Sequence, residues 1–290
     1  MAAAKKKPAK KKAARVYKRH QAIYKPENPV PYELGRGRVD NFVKCPACFW
    51  LTQVKGAKQP SFGGYNINLL TDKLLKREFD FYREKQKPHP FMTKHGLGHL
   101  VPFKHTDLEK WESSLHFGVS SRYFNTIHEE TNIKFGGGVD DIWQSTKSGT
   151  LYVVEYKSTA QLGNNPAPVN LHGKYKAAYK RQMDMYQWIL RRKPEGFKVS
   201  NTGYFVYVDG QHTDIGGMLD RGGDTATMKF NTSLLPYKGN DSWVEPALFA
   251  IKKLLSRKIC PQHSTACRTE NKGWHAYIES VRKAMDWKKA

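Results

Sequence analysis

The chain has 290 residues, 39% of them hydrophobic, so it can bury one large core or two modest ones. Its 49 lysines and arginines against 26 acids leave a formal charge of +23, which points to a polyanionic partner, nucleic acid being the commonest, ahead of a charge that serves solubility alone. No apolar run approaches a membrane-spanning length; a cytoplasmic protein with neither secretory leader nor membrane partner is expected, its four cysteines reduced rather than paired as disulfides.

Residues 1–15 are low in complexity, rich in Lys and Ala, and expected to be disordered. Ten of the excess positive charges fall in residues 1–26 and thirteen in the remainder, so the charge is not confined to this arm. The lysine clusters Lys5–Lys7 and Lys10–Lys12 suit a DNA-gripping arm, as in a nucleoid-associated protein, or a nuclear address in another host. Residues 25–37 hold three prolines and two glycines and should be an extended linker. Arm and linker (1–37) therefore precede a folded unit (38–290).

Within that unit, a short helix begins near Val39 and leads into Cys45-Pro46-Ala47-Cys48. Residues 68–84 have a helical stripe of Leu70, Leu74, Leu75, Phe79 and Phe81 or Tyr82, ended by Pro88 and Pro90. Residues 139–143 and 150–157 predict two strands of a hairpin around a turn at 145–149. A long helix over 174–192 places Tyr175, Ala178, Tyr179, Gln182, Met183, Tyr186, Ile189 and Leu190 on one face. Lys180, Arg181, Asp184, Gln187 and Arg191 fall opposite. Strands follow at 204–208 and around 225–230, then helices near 243–255 and 274–287. This order predicts an α/β fold with a mixed central sheet flanked by helices, and helical segments at both ends.

The second hairpin strand carries the chemistry. Strand periodicity puts Glu155 and Lys157 on one face, with Val154 and Tyr156 on the other. An acid and a base inside so apolar a strand need a reason. The hairpin brings Asp140 beside Glu155, and two carboxylates with a neighbouring backbone carbonyl make a hard oxygen site suited to Mg²⁺ or Mn²⁺. A bound water would lose its proton more readily there, and Lys157 would orient it and stabilise charge on a phosphate. A bare Glu-x-Lys pair is also a common surface salt bridge. Gln182, in the buried stripe of the long helix, needs hydrogen-bond partners, and Tyr186 brings a phenol to the same place one turn on.

Gly137-x-x-Asp140, Glu155-x-Lys157 and Gln182-x-x-x-Tyr186 together resemble the motif order of the RecB-like branch of the PD-(D/E)XK nucleases, which includes the CRISPR-associated exonucleases. The run from Asn41 to Leu51, the run from Leu74 to Asp80, and Lys87-Pro88-His89-Pro90 are similar to a bacterial PD-(D/E)XK family of unassigned role. The resemblance covers roughly residues 38–280. It implies a restriction-endonuclease-like core at about 66–230 between flanks at 38–65 and 241–290, two metal-binding acids, a catalytic lysine, and a Gln/Tyr pair supporting the site and single- or double-stranded DNA. Many relatives carry a metal-binding His on the helix before the hairpin. That helix here offers Asn68, Asp72 and Glu78, of which Asp72 is the candidate. Spacing from Gly137 selects Asp140; spacing from Gly138 selects Asp141. A basic DNA-binding protein whose nuclease-like core is only structural is the rival reading.

Cys45-x-x-Cys48 precedes the core and Cys260-x₆-Cys267 follows it. Four thiolates in two pairs can hold zinc or a [4Fe-4S] cluster, or be ordinary reduced thiols, and His263 is a substitute ligand. The resemblance favours the iron–sulfur cluster, although the relatives divide their cysteines one before the core and three after. Gly136-Gly137-Gly138 lacks the ending of a phosphate loop and precedes a strand, so it is expected to leave room for metal and DNA beside Asp140. His95, His99 and His105 are expected to be solvated.

Overall fold

A computed structural model describes residues 23–57, 65–161, 167–211, 217–220, 222–270 and 272–287. The basic arm at 1–15 lies outside them. The elements are β1 (Tyr32–Gly35), α1 (Arg36–Lys44), α2 (Pro46–Val54), α3 (Asn66–Lys85), α4 (Pro90–Lys94), β2 (Leu100–Pro102), α5 (Leu108–Trp111), β3 (Asn125–His128), β4 (Ile133–Gly136), β5 (Asp141–Ser145), β6 (Leu151–Ala160), α6 (Lys174–Arg191), β7 (Thr202–Gly210), β8 (Phe230–Lys238), α7 (Val244–Leu255), α8 (Thr265–Glu270) and α9 (Lys272–Trp287). Among the described residues no helix is long and apolar enough to cross a membrane.

The main sheet is mixed, with strand order β2-β5-β6-β7-β8. β5 and β6 form the expected antiparallel hairpin, α6 carries the chain to β7 parallel to β6, and β8 returns antiparallel at the edge. The alternation of β6 divides the interior in two. Val154 and Tyr156 join Phe79, Met92, Leu100, Trp143, Tyr204 and Val206 in a small core beneath α3. Val153 lies in the large core that α1, α2, α6 and α7 share. The result is an α/β fold with helices on both faces of the sheet, consistent with a restriction-endonuclease-like core.

Five expectations need correction. His105, expected to be solvated, is largely buried, stacked on Trp111 with ring centroids 4.4 Å apart. The segment expected to be linker contains β1, because Tyr32 and Leu34 alternate inward; it pairs parallel with β4, and β3 completes a second, three-stranded sheet. The final strand lies at Phe230–Lys238 rather than 225–230. Its Pro236 is tolerated because β8 is an edge strand, where a missing donor breaks no inner ladder.

The buried stripe of α3 is Thr71, Phe79 and Arg83, while Leu70, Leu74 and Phe81 are 51, 53 and 55% exposed. Polar partners decide that face: the Thr71 hydroxyl meets Ser158 of β6, and Arg83 meets Asp141 of β5. Finally, α6 is not one-sided. From Gln182 to Leu190 it is buried all round, because its second face packs against β8, α7 and their connection. Asp184 accepts from the Tyr237 hydroxyl at 3.1 Å, Asn240 N at 3.0 Å and Trp243 Nε1 at 3.0 Å.

Candidate active site

The hairpin register pairs Asp141 with Val154, which sets Asp140, the bend residue just before β5, beside Glu155. Asp140 Oδ2 accepts the Tyr156 N–H at 3.0 Å. The neighbouring acids diverge. Asp141 turns to the small core, where its carboxylate accepts from Arg83 Nη2 at 2.9 Å, the Tyr156 hydroxyl at 2.6 Å and Trp143 Nε1 at 3.2 Å. A carboxylate so fully engaged by protein donors is a structural anchor.

Glu155 is wholly buried. Its Oε2 accepts from Lys157 Nζ at 2.7 Å and from Gln182 Nε2 at 2.6 Å, and its Oε1 has no hydrogen-bond partner among the described residues. Burial, reinforced by the Asp140 charge, pushes its pKa up to about 8. Lys157 Nζ also donates to Tyr156 O at 3.1 Å and stands 3.6 Å from Asp140 Oδ2. Burial works against this ammonium, but Glu155 and Asp140 outweigh it and hold the pKa above the usual lysine value. Two carboxylates thus flank one lysine, and one buried carboxylate oxygen is left without a hydrogen-bond donor among the described residues.

Tyr186 is buried in the same region, where its phenol pairs with Arg36 at the start of α1. The Arg36 guanidinium also feels Glu155 and Asp140. Arg36 reaches this position because Asp40, one turn later, is clamped by Arg181 of α6, with Nη2 to Oδ1 at 2.6 Å. Lys76 of α3 lies 3.1 Å from Asp72 and 3.9 Å from Asp140. Burial raises the Asp72 pKa first and the Asp140 charge second. Glu112 is raised to about 7, mainly by burial, with Lys76 opposing. Arg36, Lys76 and Glu112 escape sequence reasoning because each reaches the site through tertiary packing. Only the position of Arg36 within one turn of Asp40 offers a hint.

The glycine run does not open space for a ligand. A Cβ at Gly137 would lie 3.2 Å from the Tyr186 hydroxyl oxygen, and one at Gly138 would lie 2.7 Å from Glu112 O and Ser114 N. Protein fills the room, and the glycines let β4 and the Asp140 bend pass close to α6 and the segment after α5.

The cysteines lie apart from this site. Cys45, Cys48 and Cys267 meet, and His263 joins them; Cys260 does not, its thiol facing the carbonyls of Ala47 and Pro261. Residues 68–281 match the family model described as the PD-(D/E)XK nuclease superfamily. No curated protein matches the chain.

Proposed function

Since the chain belongs to the PD-(D/E)XK nuclease superfamily, we propose that it is a metal-dependent deoxyribonuclease that hydrolyses phosphodiester bonds in DNA during repair, recombination or defence. The observation that carries this reading is the Oε1 of the buried Glu155, next to Asp140 and without a hydrogen-bond partner among the described residues. A buried carboxylate oxygen without a donor is a deficit that a hard cation meets. Asp140 and Glu155 would hold Mg²⁺ or Mn²⁺, which supplies an acidified water and neutralises phosphate charge. Asp72 is the candidate third carboxylate, available once Lys76 turns from it to a phosphate oxygen.

The chain's own groups divide the remaining work. Lys157 keeps its proton, so it faces the reacting phosphate as a cation and offsets charge that grows there. Gln182 fixes the rotamer of Glu155 by donating to Oε2, leaving Oε1 to face the ion. Tyr186 anchors Arg36, which adds a second positive charge on the same side. DNA as substrate is supported by the thirteen excess charges outside residues 1–26.

The test is cleavage of end-labelled single- and double-stranded DNA by the purified chain. Products with Mg²⁺ or Mn²⁺, and none with chelator, are expected; intact DNA in every condition would remove the proposal. Gln182→Leu should raise the Mg²⁺ concentration for half-maximal cleavage by about 10–100-fold, the usual cost of losing a group that orients a ligand. A metal titration of activity checks this. Deleting residues 1–15 should weaken DNA binding and flatten its dependence on salt, because fewer counterions are released. Fluorescence anisotropy at several NaCl concentrations measures that slope, and an unchanged slope would assign the arm another task.

A further inference from the structure

A second constellation lies at the junction of the two chain ends. Cys45 is the residue before α2, Cys48 is in the first turn of that helix, and Cys267 is on α8. The Cys48 and Cys267 sulfurs are 3.4 Å apart. His263 Nδ1 lies 3.4 Å from Cys45 Sγ, 3.4 Å from Cys48 Sγ and 3.7 Å from Cys267 Sγ. No two of the four atoms are more than 4.8 Å apart, and all three cysteines are free thiols.

We propose that Cys45, Cys48, His263 and Cys267 form a mononuclear Cys₃His zinc site that ties the ends of the chain together. The separations carry the inference. An ion bound tetrahedrally by thiolates at about 2.3 Å and an imidazole at about 2.0 Å holds its ligand atoms about 3.5–3.8 Å apart. Of the four separations given above, one falls in that range and the other three, at 3.4 Å, just below it. A four-iron cluster binds each thiolate to a different iron, so the whole cube would have to stand between ligand atoms that here nearly touch. The donor set agrees, since three soft sulfurs and one imidazole suit zinc.

The surroundings prepare the histidine. His263 Nε2 donates to Glu279 Oε1 at 2.8 Å, and Arg282 holds the other oxygen of that carboxylate at 2.7 Å. This fixes the tautomer that leaves the Nδ1 lone pair toward the sulfurs, the arrangement that a carboxylate imposes on metal-binding histidines. His275 also packs against His263, with ring centroids 4.7 Å apart, and comes within ligand distance of Glu279. That trio offers no sulfur and would need the His263 nitrogen already bonded to Glu279. Zinc at the sulfurs would join residues 219 apart in sequence and clamp α2 to the C-terminal helices. Closing so long a loop removes much freedom from the unfolded chain.

This inference does not rest on the nuclease reading, because its test measures metal. The full chain, purified without chelator, should contain about one zinc per molecule by mass spectrometry and be colourless. Growth with Co²⁺ in place of zinc should give the visible bands of a tetrahedral thiolate site. Cys260→Ser should keep its metal, while Cys267→Ser and His263→Ala should lose it. Should those variants fail to fold, Glu279→Gln tests the same site more gently: its zinc should pass to a competing chelator about 10–100-fold more readily than the parent's. A brown protein containing iron and sulfide, with Cys260 needed for the colour, would overturn the proposal. So would a metal-free chain whose melting temperature responds to neither zinc nor chelator.

Discussion

Asp140→Ala and Glu155→Gln should each reduce Mg²⁺-dependent DNA cleavage to background. Asp140 is one-fifth exposed, at the end of the hairpin, and its removal opens no core cavity. Glu155→Gln keeps the volume of a fully buried side chain and removes only the charge that a divalent ion would balance. Lys157→Ala should behave differently. It leaves both acids in place, so Mg²⁺ binding should persist while cleavage falls by about 10²-fold or more, the cost of deleting one preorganised charge from a transition state. Single-turnover cleavage beside calorimetric Mg²⁺ titration separates these outcomes. If the Asp140 and Glu155 variants cut like the parent, the proposed ligand set is wrong. If Lys157→Ala loses metal rather than rate, the lysine organises the acids instead of meeting the phosphate.

The central part of the fold is legible in the sequence because its local rules agree. The apolar run that opens Leu151–Ala160, with the turn before it, specifies a hairpin, and a period of two fixes which side chains share a face. That is why the sequence alone places Glu155 and Lys157 together. The same register sends Asp140 and Asp141 to opposite sides. Less is legible where polar partners choose the buried face. The leucines of α3 look like its core stripe, yet Thr71 and Arg83 occupy the interior because Ser158 and Asp141 await them. Asp184 and Gln187 look like the wet side of α6, but the connection from β8 to α7 covers them.

Short strands leave almost no pattern either. β1, β3 and β4 have four residues each, too few for alternation to stand out among prolines and glycines. The cysteine pairs show that two chain ends carry soft ligands, but spacing alone cannot choose between Cys260 and His263. The turn into α8 decides it by turning His263 toward Cys45 and Cys48 and leaving Cys260 against backbone carbonyls.

Asp141→Ala should be the most destabilising change in the hairpin, at about 3–5 kcal/mol, and should leave the cleavage rate per folded molecule intact. The carboxylate is wholly buried and joins three elements: Arg83 from α3, Trp143 from β5 and Tyr156 from β6. Removing it strands the Arg83 guanidinium, which is 6% exposed and keeps, among the described residues, only the half-exposed Asp80 as an ionic partner. Breaking one half of a buried pair costs that much because the remaining charge stays desolvated. Against a total stability of about 5–15 kcal/mol this is a large share. Asp141→Asn should cost less, since the amide oxygen can still accept from Tyr156 and Trp143. Urea denaturation gives the stability, and cleavage assayed well below the transition gives the rate. A variant that melts like the parent but no longer cuts would put Asp141 at the metal and shift the hairpin by one residue. The double variant Asp141→Leu with Arg83→Met separates charge from packing. With both partners apolar no ion is left buried, so it should recover most of what Asp141→Ala alone loses.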